Sequence, residues 1–561
     1  MSFTLQIDDT SLILLTSLIL LSLLPRLFAT TPAAHPLLFA KQSETSTVRR
    51  KGKTAVYRHW STGSGGRLAT RPEQGVDGVK ELVKGGARRD GKGGGKRWIG
   101  GTAVDLPKSM KELERGLAVR LPGNEHGATN RIIICAPTTP TTLLPLVLLN
   151  LLPSSSTKTS TTNSDNGKKT QKYQLVTLSQ PRYLTRALET FKDAKLIIAS
   201  LEEIDLVLGL LPSSAASSSA RYLVVLPKTT TTAKGTPLPA DLIQQAQQKG
   251  YTLITFDDVL HAGRQEKVDL AAEEDEQNDG KSDPEAVHSF VFLPRATTLS
   301  DEKNDDYDDP QILTITNTNL TAGVTAILSL FPATHRPSSS AGGGKKDVFL
   351  TSVDLAQPFG LAVAMSALYV DELSLPDGAP QPTVAFLSPA QLRNFTSSIV
   401  QKAKTSLLYP IARRQAQARL RDGSVGRSGW AEGAVWRSAR GVSAGGLRSL
   451  VIVGQKADDA LSVSEVEEAF IHLAIPVIRT NINPRATAPV TATHFFDYQL
   501  VPYNNPESAN GKMHSGPPGS NTEIELRGEE VDRALEDGGD PRGVYCDLSL
   551  LLMEAQVPDR S

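Results

Sequence analysis

A series of short apolar runs, each long enough for one strand and no longer, constrains this chain more than any other feature. From Arg131 onward they recur as Ile132-Ile133-Ile134, Leu175 to Leu178, Leu196-Ile197-Ile198, Tyr222 to Leu226 and Thr252 to Phe256. Runs with so little polar alternation are the mark of strands covered on both faces, and such strands belong to parallel sheets. Helical stretches lie between several of them, at Pro181 to Phe191 and Ala240 to Gln248. The series resumes at Phe290 to Leu293, Ile312 to Ile315, Val348-Phe349-Leu350, Val384 to Leu387, Leu450 to Val453 and Pro476-Val477-Ile478. Strand, helix, strand at this spacing predicts an α/β fold with a doubly wound parallel sheet. At 561 residues the chain exceeds one ordinary core, so it is expected to form one subdivided α/β domain or two domains.

Segments of few residue types interrupt the series at Ser154 to Lys169, Ser213 to Ser219, Thr229 to Lys234, Ala271 to Asp283 and Ser338 to Lys346. They fall between elements, where added loop length has a small entropic cost, and their composition predicts disorder. Residues 31–130 read as loop-rich, with one β-like piece at Thr54 to Tyr57 and a Gly/Lys/Arg-rich solvated insertion from Gly85 to Gly101. The run Gly342 to Lys346 lacks the spacing and the Ser/Thr of a Walker loop and reads as linker. Gly441-Val442-Ser443-Ala444-Gly445 leads into the strand at Leu450, whereas an esterase elbow follows a strand and opens a helix, so it reads as a glycine-rich loop. His494 and Asp497 read as a loop pair. The two cysteines, Cys135 and Cys546, support neither a disulfide framework nor a metal cluster, and Cys135, ending an apolar strand, reads as a buried free thiol.

The formal net charge of +0 argues against attraction of the whole chain to nucleic acid. Locally the balance differs. Ser11 to Leu24 is apolar and uncharged, with Asp8 and Asp9 before it and Arg26, Lys41, Arg49, Arg50, Lys51 and Lys53 after it. A cleaved leader would carry a basic start, so residues 1–30 read as a retained membrane anchor. Basic residues on the far flank leave the body of the protein in the cytosol, and the short span suits the endoplasmic reticulum. A second basic tract runs from Lys402 to Arg448, opposed only by Asp422 and Glu432. It reads as a solvated helix and loop, or as a face resting on the cytosolic leaflet.

The stretch from His288 to Val324 has the layout of a nucleotide-phosphate site: a strand, a Thr-containing turn at Arg295 to Thr298, and a helix with polar capping residues at Asn317-Thr318-Asn319. Between Pro294 and Asn317, however, there is no glycine and one lysine, Lys303, set among carboxylates from Asp301 through Asp309 that would repel a triphosphate.

From Gly52 to Tyr545 the order of pieces resembles the long-chain fatty acyl-CoA synthetases of the adenylate-forming (AMP-dependent synthetase and ligase) family. Tyr251 to Gly263 looks like the segment before that family's phosphate loop, and Asn319-Leu320-Thr321-Ala322-Gly323-Val324 like the helix after it. Phe349 to Gly360 resembles its Leu-Ala-His-x-x-Glu turn, with Gln357 and Gly360 in place of His and Glu. Gly445 to Gly454 is similar to the strand that ends at the adenine pocket, and Gly516-Pro517-Pro518 with Glu523 to Leu526 to the hairpin beyond. Where the family holds ATP phosphates on a Ser/Thr/Gly loop ending in Pro-Lys-Gly, this chain has Arg295 to Thr298 and the acidic tract. The family's Tyr-Gly-x-Thr-Glu motif, whose glutamate holds Mg²⁺, falls at Asn481-Ile482-Asn483-Pro484-Arg485, and arginine cannot ligate a metal ion. Beyond Pro541 to Tyr545 the ribose-binding aspartate and the domain carrying the catalytic lysine have no counterpart, and Leu548 to Met553 looks unrelated.

The anchor, the resemblance and the departures from it together lead to the expectation of a membrane-anchored, catalytically inactive relative of the long-chain fatty acid CoA ligases, in four parts: an anchor (1–30), a loop-rich region (31–130), a synthetase-like domain with inserts (131–545) and an atypical tail (546–561). No catalytic, cofactor-binding or metal-binding residue is assigned. The expected partners are the lipid bilayer and a fatty acid or acyl-CoA, with no nucleic acid. The alternatives are an active ligase, which would use ATP, Mg²⁺ and CoA, and a structural interaction protein at the membrane.

Overall fold

The computed structural model describes residues 9–10, 12–17, 19, 42–46, 55–63, 66–89, 96–100, 102–120, 129–152, 172–194, 196–212, 221–226, 238–265, 282–294, 310–337, 347–370, 372–374, 381–454, 461–500, 513–526, 533 and 546–547. The low-complexity segments lie outside these residues apart from Ser282 and Asp283, as do Arg295 to Thr298, the acidic tract, Pro541 to Tyr545 and Leu548 to Met553. Of the N-terminal apolar stretch only residues 12–17 and 19 are described, and they are helical. Among the described residues no helix is long and apolar enough to cross a membrane, and the expected span lies largely outside them.

Strands β1 (Ser43–Thr45) and β2 (Tyr57–His59) pair antiparallel, so the piece read at Thr54 to Tyr57 begins its strand only at Tyr57. Residues 79–120 depart from the loop expected there. They form α1 (Val79–Arg89), an antiparallel hairpin of β3 (Lys96–Ile99) and β4 (Thr102–Asp105), and α2 (Leu106–Arg120). The glycines and lysines around it hid Trp98 and Ile99, which pair in parallel with Glu372 and Leu373. Gly100, at φ +57°, makes the tight turn of the hairpin.

The first large sheet takes β5 (Thr129–Cys135), β6 (Lys172–Leu178), β7 (Leu196–Ser200), β8 (Arg221–Leu226), β9 (Tyr251–Thr255), β10 (Val287–Leu293) and β11 (Gln311–Thr316). Their order is β11-β10-β6-β5-β7-β8-β9. All neighbours are parallel except β11, which returns antiparallel to β10. Helices α3 (Leu143–Leu151), α4 (Leu184–Thr190), α5 (Ile204–Leu210), α6 (Ala240–Gln248) and α7 (Phe256–Gln265) connect these strands, so Phe256 opens a helix where a strand residue was expected.

The rest of the chain builds a second sheet, a division that the periodicity of the apolar runs did not place. After α8 (Asn317–Ser329) come β12 (Val348–Thr351), α9 (Pro358–Val370), β13 (Glu372–Ser374), β14 (Val384–Leu387), α10 (Pro389–Ala403), α11 (Tyr409–Arg421), α12 (Arg437–Gly445), β15 (Ser449–Gly454), α13 (Val463–Leu473), β16 (Val477–Ile482) and β17 (Pro489–Ala492). The sheet order is β17-β16-β15-β14-β12-β13-β3-β4, parallel inside and antiparallel at both edges. The glycine-rich Gly441 to Gly445 is the last turn of α12, bent at Gly441 where φ is +58°, and not a loop. Near the end, β18 (Glu523–Leu526) joins β2 and β19 (Cys546–Asp547) in a small third sheet.

Side-chain alternation stacks these parts into five layers. Ile132 and Ile134 point into a central core shared with α8, α9 and the second sheet, while Ile133 and Cys135 point the other way, onto α4, α5 and α6. In the second sheet Val384 and Phe386 face the centre, and Ala385 and Leu387 face α10, α12 and α13. The central helices are apolar all round because they are covered all round: every residue of α9 is buried. Phe349 and Phe386 stack there at 5.7 Å between ring centroids.

Candidate functional site

The two central helices begin at the same end of the molecule. Gly323, in the second turn of α8, lies so close to α9 that a Cβ on it would stand 2.9 Å from the Cβ of Ala362, in the second turn of α9, and 2.7 Å from the carbonyl oxygen of Thr487. The Thr487 hydroxyl donates to Asn319 O at 2.7 Å. The loop after β16 is therefore seated on the start of α8, and the sequence motifs at Asn319 and Asn483 meet in space.

At the start of α8 the sequence folds into a reciprocal cap. Thr316 Oγ1 accepts from Asn319 N at 3.3 Å, and Thr316 N donates to Asn319 Oδ1 at 2.9 Å. The other exposed amides at this helix end have protein acceptors too. Asn317 N donates to Ala286 O at 3.1 Å and Thr318 N to Pro284 O at 3.0 Å, while the Asn317 and Thr318 side chains donate to Asp283 O and Pro284 O. A helix start binds an anion through amides that lack partners. Here residues 283–286 and the cap satisfy the first three.

In the loop after β16, Asn483 Oδ1 accepts from Arg485 N at 2.9 Å, and Ala486 N donates to Asn483 O at 2.9 Å. Ala486 and Ala488 pack on Ala322 and Ala326 of α8. Arg485 stays half-buried beside this contact. The loop thus presents a guanidinium at the position the resemblance gives to a metal-binding carboxylate.

At the turn before α9 and the start of that helix, packing accounts for the glycine at position 360, where the resemblance expects a glutamate. A Cβ there would stand 2.0 Å from Asp354 O, so no side chain fits. Asp354 organises this turn: its Oδ1 accepts from Ala356 N at 3.1 Å and from Thr138 Oγ1 at 2.6 Å. Thr138 Oγ1 in turn accepts from Leu355 N at 2.9 Å. Thr138 follows β5, and Glu203 follows β7. Because the chain passes from β5 to β6 on one side of it and then from β6 to β7 on the other, these residues stand at the topological switch point of the first sheet, the usual ligand position in such sheets. Burial raises the Glu203 carboxyl above its ordinary range, and Asp354 and Glu202 push the same way. Burial, with Glu203 nearby, raises the Cys135 thiol to about 12, so it is no nucleophile at neutral pH. Sequence reading passed over Thr138 and Glu203. The available signal was a polar run directly after an apolar strand, Pro137 to Thr142 after β5 and Glu202-Glu203 after β7.

His494 and Asp497 share one turn, where Asp497 N donates to His494 O at 3.0 Å. Asp497 faces Arg479 of β16 at 3.5 Å, with both side chains buried. Burial lowers the imidazoles of His494 and His514. The basic tract also separates in space. Arg440 is 3% exposed and bonded to Glu432, Arg413 pairs with Glu468, Arg448 with Asp347, and Arg427 caps the carbonyls of Ala444, Gly445 and Leu473. Each of the four is held by a partner within the fold, Arg440 out of solvent and Arg413 and Arg448 with 39% and 31% of their side chains still exposed.

No protein-family profile and no curated protein matches the chain. Its fold is similar to those of several solved structures. With o-succinylbenzoate CoA synthetase of Bacillus subtilis the identity is 9% and the TM-score 0.44, over 80% of this chain and 66% of that one. With the N-terminal domain of FACL13 from Mycobacterium tuberculosis they are 8% and 0.45, over 81% and 85%. With the luciferase-like enzyme of the mealworm Zophobas morio they are 11% and 0.46, over 82% and 83%.

Proposed function

We propose that this chain is a non-adenylating interaction scaffold with a ligase-like architecture. The observation that carries the reading is the closed start of α8: the amides of Asn317, Thr318 and Asn319 all donate to protein acceptors. A phosphate approaching there would have to displace residues 283–286 or open the cap before gaining a bond of its own. Two further features point the same way. Arg485 would repel a metal ion at the end of the β16 loop, and Gly360 leaves no room for the glutamate that the resemblance expects.

The test is ATP–pyrophosphate exchange by the purified full chain with Mg²⁺ and a series of fatty acids, beside calorimetric titration with Mg·ATP. The expected result is no exchange above the protein-free rate and no saturable heat. Arg485→Glu is expected to stay silent as well, since it leaves α8 capped. Exchange by the wild type, or its appearance in that single variant, overturns the reading.

A further inference from the structure

Residues 402–421 contain six cations and no carboxylate: Lys402, Lys404, Arg413, Arg414, Arg419 and Arg421. Two are occupied, Arg413 by Glu468 and Arg419 by the carbonyl of Ser428. The other four are exposed. Among them stands apolar surface that a folded chain would ordinarily cover. Leu407 is 97% exposed, Ile411 57% and Leu408 43%. Helical spacing explains the arrangement. Ile411, Arg414, Ala418 and Arg421 recur at three- and four-residue intervals and form the outer face of α11, while Ala412 and Leu420 point inward and are buried. Leu407 and Leu408 stand in the link ahead of this face, and Lys402 and Lys404 at the end of α10 before that.

The geometry points to an anionic lipid bilayer as the partner of this face. Leu407, Leu408 and Ile411 project from a helix and its leading link, which suits shallow insertion at the acyl boundary. Cations flank them on both sides in sequence, where phosphate and carboxylate headgroups would lie. A second copy of the chain is a poor occupant, because a two-fold contact would set four cations against four. None of the residues of the closed helix start belongs to this face.

The test is co-sedimentation of the full chain with neutral phosphatidylcholine vesicles and with vesicles containing about 30 mol% phosphatidylserine. The readout is the ratio of the two partition coefficients, so affinity of the N-terminal apolar stretch for any bilayer cancels. The ratio is expected to be at least about ten and to fall towards one as salt rises from about 0.1 to about 0.5 M. It is also expected to collapse in the variant carrying Lys402→Glu, Lys404→Glu, Arg414→Glu and Arg421→Glu, and in the variant carrying Leu407→Asp and Ile411→Asp, with native circular dichroism in both. A wild-type ratio near one, or a ratio unchanged in either variant, overturns the proposal. A ratio near one together with a dimer that Leu407→Asp dissociates assigns the face to a second copy. A ratio near one together with capture by immobilised polyglutamate assigns it to an acidic protein.

Discussion

His288, in β10, ties the first sheet to α3 and makes the stability of the protein depend on pH. Its side chain is 1% exposed. Nε2 lies 2.8 Å from Asn150 O and Nδ1 3.2 Å from Ser289 Oγ. That pairing suits a neutral ring, with Nε2–H donating to the carbonyl and Nδ1 accepting from the hydroxyl. Burial pushes the imidazole down from 6.5 to about 4, and the bond to Asn150 opposes the shift only in part. The unfolded chain therefore binds a proton between those two values that the folded chain refuses. Stability from this group is complete above the unfolded value and is lost as pH falls through the window. One pK unit corresponds to about 1.4 kcal/mol, so the loss reaches about 2 kcal/mol at about pH 5 and about 3 kcal/mol below about pH 4. Other groups titrate over the same range, so the assay is a comparison. Urea unfolding of the wild type and of His288→Gln, followed by tryptophan fluorescence, is measured at about pH 7.5 and about pH 5. The glutamine amide keeps a donor and an acceptor and carries no proton to titrate. The variant is expected to lose about 2 kcal/mol less than the wild type on acidification. Equal losses in the two proteins would refute the claim that His288 is held neutral.

The remaining predictions concern the candidate site and its supports. Gly360→Glu, which writes in the glutamate that the resemblance expects, is expected to destabilise the fold by at least about 2 kcal/mol in urea, because the new Cβ meets the Asp354 carbonyl; a change within about 0.5 kcal/mol would refute that clash. Thr316→Ala removes one half of the α8 cap and is expected to cost about 1 kcal/mol in the same assay. Arg479→Met strands the buried Asp497 carboxylate, with an expected loss of about 3 kcal/mol that Arg479→Met with Asp497→Leu recovers in large part; an undiminished loss in the double variant would refute the pairing. Phe386→Ala opens the central core beside Phe349 and is expected to cost about 3 to 5 kcal/mol, measured by the same unfolding.

Strand identity was legible in the sequence because burial on both faces writes itself as an uninterrupted apolar run. Ile132 to Ile134, Tyr222 to Leu226 and Leu450 to Val453 each announce a strand without reference to any neighbour. The same reasoning failed between Gly85 and Gly101, where a strand of four residues, one place in from the sheet edge, carries one lysine and one arginine and is marked only by Trp98 and Ile99. Periodicity could not divide the strands between two sheets, since every parallel strand reads alike whichever sheet receives it. Nor could it show that β11 runs back along β10, which depends on a pairing between strands and not on either run alone. At the site, the sequence by itself determined that residue 485 is an arginine and residue 360 a glycine, because residue identity needs no coordinates. Only the tertiary structure decided that residues 283–286 close the start of α8, that Thr138, Glu203 and Asp354 come together at the switch point of the first sheet, and that four arginines of the basic tract are taken up by partners within the fold. The physical reason is common to all three: a hydrogen bond or a charge pair depends on distance, and chain order does not set the distance between residues far apart in it.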